Sequence, residues 1–364
     1  MALESVALIL FLSLVIGAFI TRLLIPIAVL FDLVDVPGGR KEHDGSIPLI
    51  GGIAVFCAAA INILIFADSS LFVRFFLVGC SIMVLIGAMD DRYQLNARFR
   101  LFAQLAIAAV FAYGLELTIA SYGDLLGMGE IKTGYAAIPL TVLSIVAAIN
   151  GFNMMDGVDG LVGSMGLVSY IALAILFGFA GDNTASLICF SFIGALITFL
   201  VFNIQGRPGE GHRLSKIFMG DAGSMLVGLS IAVLLVYGSQ ISPVNSSPAF
   251  EPVVALWFVL LPVTDMATIM YRRIRRGRSP MSADRTHIHH ILMRAGLSKV
   301  QTLACLMAVH VFFISAGITM SLASVPAVIS TLVAFLFILF YQYLMRHAWK
   351  FVRKGREFKQ SGLF

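Results

Sequence analysis

The chain has 364 residues, of which 59% are hydrophobic and only 12% charged, with a formal net charge of +5 at neutral pH. A globular core of this length has no room for so much apolar side chain, so the composition places the chain in a membrane and excludes an ordinary soluble domain. The positive balance does not point to nucleic acid, because the basic residues sit in short breaks between apolar runs, where membrane topology accounts for them.

Apolar runs long enough for a helical span of ~20 residues fall near 5–27, 47–67, 71–89, 101–121, 136–152, 161–180, 185–203, 224–241, 252–270, 302–322 and 325–345. Before the first run stand Glu4 and no Lys or Arg, so this segment reads as a retained helix rather than a cleaved secretory signal. The four cysteines, Cys57, Cys80, Cys189 and Cys305, all lie inside the runs, without a CxxC pair. They read as reduced core residues and suggest neither a disulfide frame nor a zinc knuckle.

The breaks alternate in charge. Of the 25 Lys and Arg residues, only Arg74 and Lys132 fall on one set of breaks, which by the positive-inside bias makes the other set cytoplasmic, with the N-terminus outside and the C-terminus inside. The expected fold is all-α: a polytopic membrane helix bundle of about 11 transmembrane helices. It forms one integral-membrane domain over residues 1–364, with cytoplasmic loops near 28–46, 90–100, 150–160, 204–223 and 271–301 and a basic tail at 346–364. No repeat is visible, and the longest polar segment, 271–301, is too short to fold alone.

The acids follow the same division. Seven of the 20 fall singly toward the outer side, whereas the inner side holds clusters, which puts the chemistry on the cytoplasmic face. Asp90-Asp91 closes the third run; adjacent carboxylates repel unless a cation or a proton joins them, which suits a divalent metal or a shared-proton base, although a solvated helix cap is the commoner meaning of a lone pair. Residues 150–161 read Asn-Gly-Phe-Asn-Met-Met-Asp-Gly-Val-Asp-Gly-Leu. Asn153, Asp156 and Asp159 offer hard oxygens of the kind Mg²⁺ prefers, and ionisable groups at membrane depth are rarely idle. Phe218-Met-Gly-Asp221-Ala-Gly-Ser224 precedes the eighth run, with small residues that let a ligand approach the backbone; Asp221 alone reads equally as a helix cap.

After the ninth run, Arg272 to Arg278 have the pattern of a juxtamembrane anchor for anionic lipid. Asp284-Arg285-Thr-His287-Ile-His289-His290 follows. Zinc is an alternative for this histidine cluster, but Arg285 with imidazoles suits phosphate better. His310 and His347 read as packing residues. Acids for a metal and bases for phosphates on one membrane face indicate phosphoryl transfer on a diphosphate, with a lipid as the reactant sharing that plane. A rival from another class is an ion-coupled transporter, which places its ionisable groups near the bilayer midplane and often carries inverted repeats.

These motifs, in order, together with Asp35-Val-Pro-Gly-Gly-Arg40-Lys41-Glu-His43 and Gly51-Gly52 in the first inner loop, resemble the polyprenyl-phosphate N-acetylhexosamine-1-phosphate transferases over nearly the whole chain. The compact His-Ile-His-His-Ile-Leu-Met-Arg294 segment is similar to the branch that uses undecaprenyl phosphate and N-acetylglucosamine at the start of O-antigen and related surface lipids. Where the family's acidic motif often continues to a third acid, this chain has Gln94.

The resemblance implies UDP-N-acetylglucosamine and undecaprenyl phosphate as substrates, with another UDP-N-acetyl sugar such as a 6-deoxyhexosamine as the alternative donor. It implies Mg²⁺ as the cofactor, with Mn²⁺ as a substitute, and a multi-pass place in the bacterial inner membrane with the site facing the cytoplasm; it leaves room for a homodimer. Residue by residue, Asn153 and Asp221 would hold the metal, Phe218 would stack on uracil and Asp159 read its edge. Asp156 would line the ribose and metal pocket, and Asp90 or Asp91 would deprotonate or orient the lipid phosphate. Arg100, Arg285, His287, His289 and His290 would hold the pyrophosphate and sugar.

Overall fold

The computed structural model describes residues 1–36, 45–208, 214–240, 247–280, 286–350 and 352–353. Each of the eleven apolar runs contains a helix: α1 (Leu3–Leu30), α2 (Gly51–Phe66), α3 (Leu71–Tyr93), α4 (Ala97–Gly114), α5 (Ala137–Met155), α6 (Leu161–Ala180), α7 (Asn183–Gln205), α8 (Gly220–Gln240), α9 (Pro252–Arg275), α11 (Lys299–Leu322) and α12 (Ala327–Arg346). A twelfth, short helix, α10 (Ile288–Arg294), lies between α9 and α11. Where lipid supplies no hydrogen bonds, a helix satisfies its own backbone, which is why the runs become helices.

Among the described residues, nine helices are long and apolar enough to cross a membrane, where the sequence suggested about eleven spans. The other two, α2 and α4, are shortened by tertiary pairing and by charge. Ile47-Pro48 forms a strand, β2, paired antiparallel with β1 (Val34–Asp35), so α2 begins only at Gly51 and has 16 residues. Helix α4 starts earlier than expected, at Ala97, because the Asn96 side chain accepts from the Arg98 N–H at 2.9 Å, and this takes Arg98 and Arg100 into its first turn. It ends at Gly114, and 115–121 belong to a loop that closes on itself through Ser121 and Lys132.

Helix α8 is the axis. Apart from Asp221 and Gln240, every residue of it is buried, the pattern of a helix surrounded by others. It packs on α2, α3, α5, α6 and α9, while α1, α2 and α6 pack on α7, and α11 and α12 flank α9. Polar side chains tie the layers: Asn62 donates to the Ile9 carbonyl at 3.0 Å, Ser13 to the Ser191 carbonyl at 2.6 Å, and Ser169 meets His310 at 3.1 Å. His310 is thus a buried packing residue, as expected; the cysteines are free thiols, but only Cys80 and Cys189 are core residues, Cys57 being half-buried and Cys305 exposed on the outer helix α11.

The start of α8 is wedged between two other helices with no side chain in the way. A Cβ on Gly52 of α2 would stand 2.1 Å from the Gly223 nitrogen, and one on Gly87 of α3 would stand 2.3 Å from the Ala222 Cα. The backbones touch, as small residues permit where membrane helices cross closely. Gly52→Ala is therefore expected to cost about 2 kcal/mol or more by overpacking against backbone, seen as a lowered melting temperature in detergent. Gly178→Ala, whose Cβ would meet nothing nearer than the Ser186 hydroxyl at 4.0 Å, should leave melting unchanged or raise it; equal losses in the two variants would refute this account.

Candidate active site

The packing at the start of α8 brings three helix ends to one point. Asp91, at the end of α3, accepts from the backbone N–H of Asp221 at 2.8 Å and of Ala222 at 3.2 Å. It is the acid at the positive end of α8 and satisfies two of its unpaired N–H groups. Gly220 makes the approach possible: its φ is +69°, and a Cβ there would stand 2.4 Å from the Asp91 carboxylate. Asp221 then projects to meet Asn153, from the last turn of α5, whose Nδ2 donates to Asp221 Oδ1 at 2.7 Å and to Ser224 Oγ at 2.9 Å.

The neighbouring acid is Asp90, whose side chain also reaches Asp221. It is 3% exposed and ion-paired with Arg100 of α4, whose Nη1 also stands 3.7 Å from Asp221 Oδ2. A buried carboxylate requires such a partner, so Asp90 fixes the guanidinium beside Asp221.

A cavity of about 530 Å³ opens over this point, lined by Asp91, Asn153, Asp156, Asp159, Phe218 and Asp221, and also by Asp35 and Lys216. The segment bearing Phe218 is held extended against the start of α2: the Phe218 N–H donates to the Pro48 carbonyl at 2.9 Å, and the Gly51 N–H to the Phe218 carbonyl at 2.9 Å. Lys216 binds Asp159 at 2.8 Å and stands 5.7 Å from the Phe218 ring centre. A flat aromatic face, a carboxylate and an ammonium therefore share one wall.

Asp156 lies past the end of α5 and stays open to the cavity. Enclosure by the cavity walls, and then the negative charges of Asp221 and Asp159, push its carboxyl up to about 7. Five acids, Asp35, Asp91, Asp156, Asp159 and Asp221, and two lysines, Lys216 and Lys299, line the cavity, so acids are in excess, and the donors there are hard oxygens, the set that suits Mg²⁺. Among the described residues no three acid, histidine or cysteine side chains form a ligand group by themselves. The fit is to an ion that keeps part of its water shell, with Asn153 and Asp221 as the adjacent protein donors.

The second cavity, about 520 Å³, lies on the other side of Asn153. Its walls are Leu101, Leu143, Val146, Met154, Met266 and Met270, and its polar end carries Arg100, Asn153, Arg273 and His287. The two cavities share Asn153.

The histidines divide. His287 Nδ1 meets Asp265 Oδ2 at 2.7 Å, and the same carboxylate accepts from the Ile288 N–H at 3.2 Å and from the Tyr341 hydroxyl of α12. Asp265 is wholly buried and stands ten residues before the end of α9, about 15 Å along its axis at the helical rise. The chain after α9 therefore doubles back into the bundle, a turn that sequence reading missed. The available signal was an acid inside an apolar run, three residues after Pro262.

His289 does not line either cavity. It is 2% exposed, parallel to His287 at 5.7 Å, and packed so closely under Gly157 that a Cβ there would lie 2.1 Å from its Nε2. Burial, then the neighbouring His290 and His287, push its pKa down to about 3, so it is neutral at physiological pH and supports the 156–160 turn rather than offering a cation to phosphate. His290 is half-buried beside it, with ring centres 4.2 Å apart. Arg285 lies outside the described residues. Lys216, which sequence reading treated only as loop charge, faces the cavity beside Asp159.

With this geometry in hand, comparison with known proteins is decisive. A model of glycosyl transferase family 4 matches residues 73–239, the stretch from α3 to α8. The undecaprenyl-phosphate alpha-N-acetylglucosaminyl 1-phosphate transferase of Salmonella typhi is 36% identical over 331 residues, which are 90% of this chain and 87% of that one. The chain belongs to glycosyl transferase family 4. The Yersinia pestis protein of the same name is 34% identical over 335 residues, 92% of this chain and 90% of its own, and that of Haemophilus influenzae 33% over 345, 94% and 95%. This family member is a multi-pass membrane protein, and the stretch matched by the family model carries all the acids that meet at Asn153.

Asp265→Asn should loosen the histidine segment. With one partner of a buried pair altered, a loss of about 3 kcal/mol is expected, and hydrogen exchange over residues 286–294 should accelerate at least tenfold while α6 and α7 keep their protection. Unchanged exchange in that segment would show that Asp265 does not hold it.

Proposed function

We propose that the chain transfers N-acetylglucosamine 1-phosphate from UDP-N-acetylglucosamine to undecaprenyl phosphate, giving undecaprenyl-diphospho-N-acetylglucosamine and UMP. The reaction is the activity named for the relatives above, and it would open the assembly of O-antigen or another surface polysaccharide. The observation that carries the reading in this molecule is the pair of unlike cavities joined at Asn153: one polar and acidic with an aromatic wall, the other largely apolar with a basic end. The first suits a nucleotide sugar with its cation. The second suits a prenyl chain that presents its phosphate to Arg100, Arg273 and His287.

In this reading a phosphate oxygen of the lipid attacks the β-phosphorus of the donor. A new P–O–P bond forms, and the bond from that phosphorus to the oxygen bridging to UMP breaks, the oxygen leaving with the electron pair. Mg²⁺, when bound, neutralises the diphosphate and stabilises the departing UMP. Phe218 stacks on uracil, and Lys216 orients Asp159 toward its edge. Arg100, pinned by Asp90, neutralises charge where the two phosphates meet. Asp91 holds the backbone N–H groups of α8 and Asp90 holds Arg100, roles that orient the site, and direct displacement needs no phospho-aspartate because the cation and Arg100 can stabilise the transferring phosphoryl. The inner end of the bundle, with the site, would face the cytoplasm of a bacterial inner membrane, as the basic breaks suggest.

The test is UMP release by the purified protein with undecaprenyl phosphate, Mg²⁺ and a series of UDP-sugars. UDP-N-acetylglucosamine should be the best donor; a preference for a UDP-6-deoxyhexosamine would move the assignment to the alternative sugar, and no UMP from any of them would end it. Asp221→Asn should lower UMP release by about two orders of magnitude or more. Phe218→Ala should instead raise the KM for the donor about tenfold or more, from the loss of ~1–3 kcal/mol of stacking, with kcat less affected. Because Asp156 keeps its proton up to about pH 7, protons compete with the cation below that pH. The Mg²⁺ concentration for half-maximal rate should then rise as pH falls from about 8 to about 6; a flat dependence would remove Asp156 from the cation's surroundings.

A further inference from the structure

Asp265 and His287 form a pair whose open side is the apolar cleft. Asp265 Oδ1 accepts from the Ile288 N–H at 3.2 Å and from the Tyr341 hydroxyl, and Oδ2 lies 2.7 Å from His287 Nδ1. A carboxylate accepts, so the imidazole gives this contact its Nδ1 proton, and Nε2 is left with a lone pair. Among the described residues Nε2 has no hydrogen-bond partner. His287 is buried yet lines the polar end of the cleft; with Nδ1 turned to Asp265, the ring edge left to the cleft carries Nε2.

No other group at that end takes up a proton. Among the described residues no carboxylate lines the cleft, and its charged side chains, Arg100 and Arg273, are cations that do not give up their protons. Behind the ring, His289 lies parallel at 5.7 Å and buried, and Tyr341, with Arg272 acting on it, is engaged with Asp265. The acids nearest the reaction serve elsewhere: Asp91 holds the first N–H groups of α8, and Asp90 holds Arg100.

We propose that His287 Nε2 receives the proton of the acceptor's phosphate and that Asp265 is the positioning residue that fixes the ring for it. This step rests on the reaction proposed above and is its first proton transfer. A phosphate monoester has a second pKa of about 6, so near neutral pH part of the lipid arrives as the monoanion with one P–O–H group. That O–H bond breaks, an N–H bond forms at Nε2, and the electron pair stays on the oxygen that then attacks the β-phosphorus. The imidazolium so formed is held by Asp265 at Nδ1 and keeps a charge-assisted hydrogen bond to the phosphate at Nε2. Its proton passes to bulk water once the products leave.

The test is kcat/KM for undecaprenyl phosphate at saturating Mg²⁺ and UDP-N-acetylglucosamine, from pH 6.0 to 9.0, in the unaltered protein, His287→Gln and Asp265→Asn. His287→Gln should lose about a hundredfold at pH 6.0, within the range that general-base groups contribute. The deficit should narrow about tenfold or more by pH 8.5, where the lipid is a dianion with no proton to give. Asp265→Asn keeps an acceptor for Nδ1 but no carboxylate, and should follow the same trend from a loss of about tenfold at pH 6.0. The KM for the donor should stay within about twofold in both, since the transfer concerns the acceptor alone.

A deficit in His287→Gln that is equal at pH 6.0 and 8.5, as a purely structural loss would give, overturns the proposal, and so does a loss confined to the donor KM. Should the variants fail to fold, the unaltered protein decides. Its kcat/KM for the lipid should fall about tenfold or more between pH 7.5 and 9.0, as the shared proton is lost; a plateau up to pH 9.0 would refute the transfer. No UMP from the unaltered protein at any pH would end the proposed reaction itself, whereas UMP release with a flat deficit removes only the role of His287 and Asp265.

Discussion

The structure depends on the close approach of backbone to backbone where α8 begins. Gly52 and Gly87 let the helix backbones touch there, and together with the positive φ of Gly220 this lets the α3 carboxylate of Asp91 reach the first N–H groups of α8. The geometry that follows is fixed. Asp221 takes its direction from the capped turn, Asn153 finds Asp221, and Arg100 spans from Asp90 to Asp221. A glycine pattern that reads as a packing detail is thus the device that aligns the chemistry, and the two acids of one dipeptide have different partners there: one caps a helix and the other anchors an arginine.

Charge is distributed to the same end. Carboxylates outnumber cations in the polar cavity, while the basic residues that counter them are held at its edges, Arg100 by Asp90 and Lys216 by Asp159. An excess of acids repels a diphosphate and attracts a divalent cation, so in the proposed reaction the cation and the nucleotide would favour each other's binding. The neutral His289 fits this economy of charge. Placed under Gly157, an imidazolium would be desolvated beside two other imidazoles, whereas the neutral ring supports the turn that carries Asp156 and Asp159 without altering the field.

Much of this was legible in the sequence, for reasons that differ by level. The eleven helices followed from apolar runs because a bilayer leaves the backbone no other way to satisfy itself. The boundaries that sequence reading misplaced, at Ile47-Pro48 and at Ala97, are those set by partners distant in the chain: a strand pairing with Val34-Asp35 and a cap from Asn96. Asp90, Asp91, Asn153, Asp156, Asp159 and Asp221 could be named because polar groups are conspicuous in an apolar chain. Their division of labour could not, since it depends on which carboxylate meets a helix N-terminus and which an arginine. Asp265 stands alone in an apolar run and has no partner within its own helix; His287 lies 22 residues away and is reached only when the chain doubles back.

That doubling back bears on the transporter alternative. An acid in the middle of a helix is what a coupled transporter needs, and Asp265 stands in the middle of α9. Yet a coupling acid must change its protonation or its ion during the cycle, and Asp265 is held at once by an imidazole, a backbone N–H and a tyrosine hydroxyl, with no exposed surface. Three partners from two other segments fix its direction. Such a group organises its neighbours rather than exchanging them, and what it organises is the segment that brings His287 to the basic end of the apolar cleft.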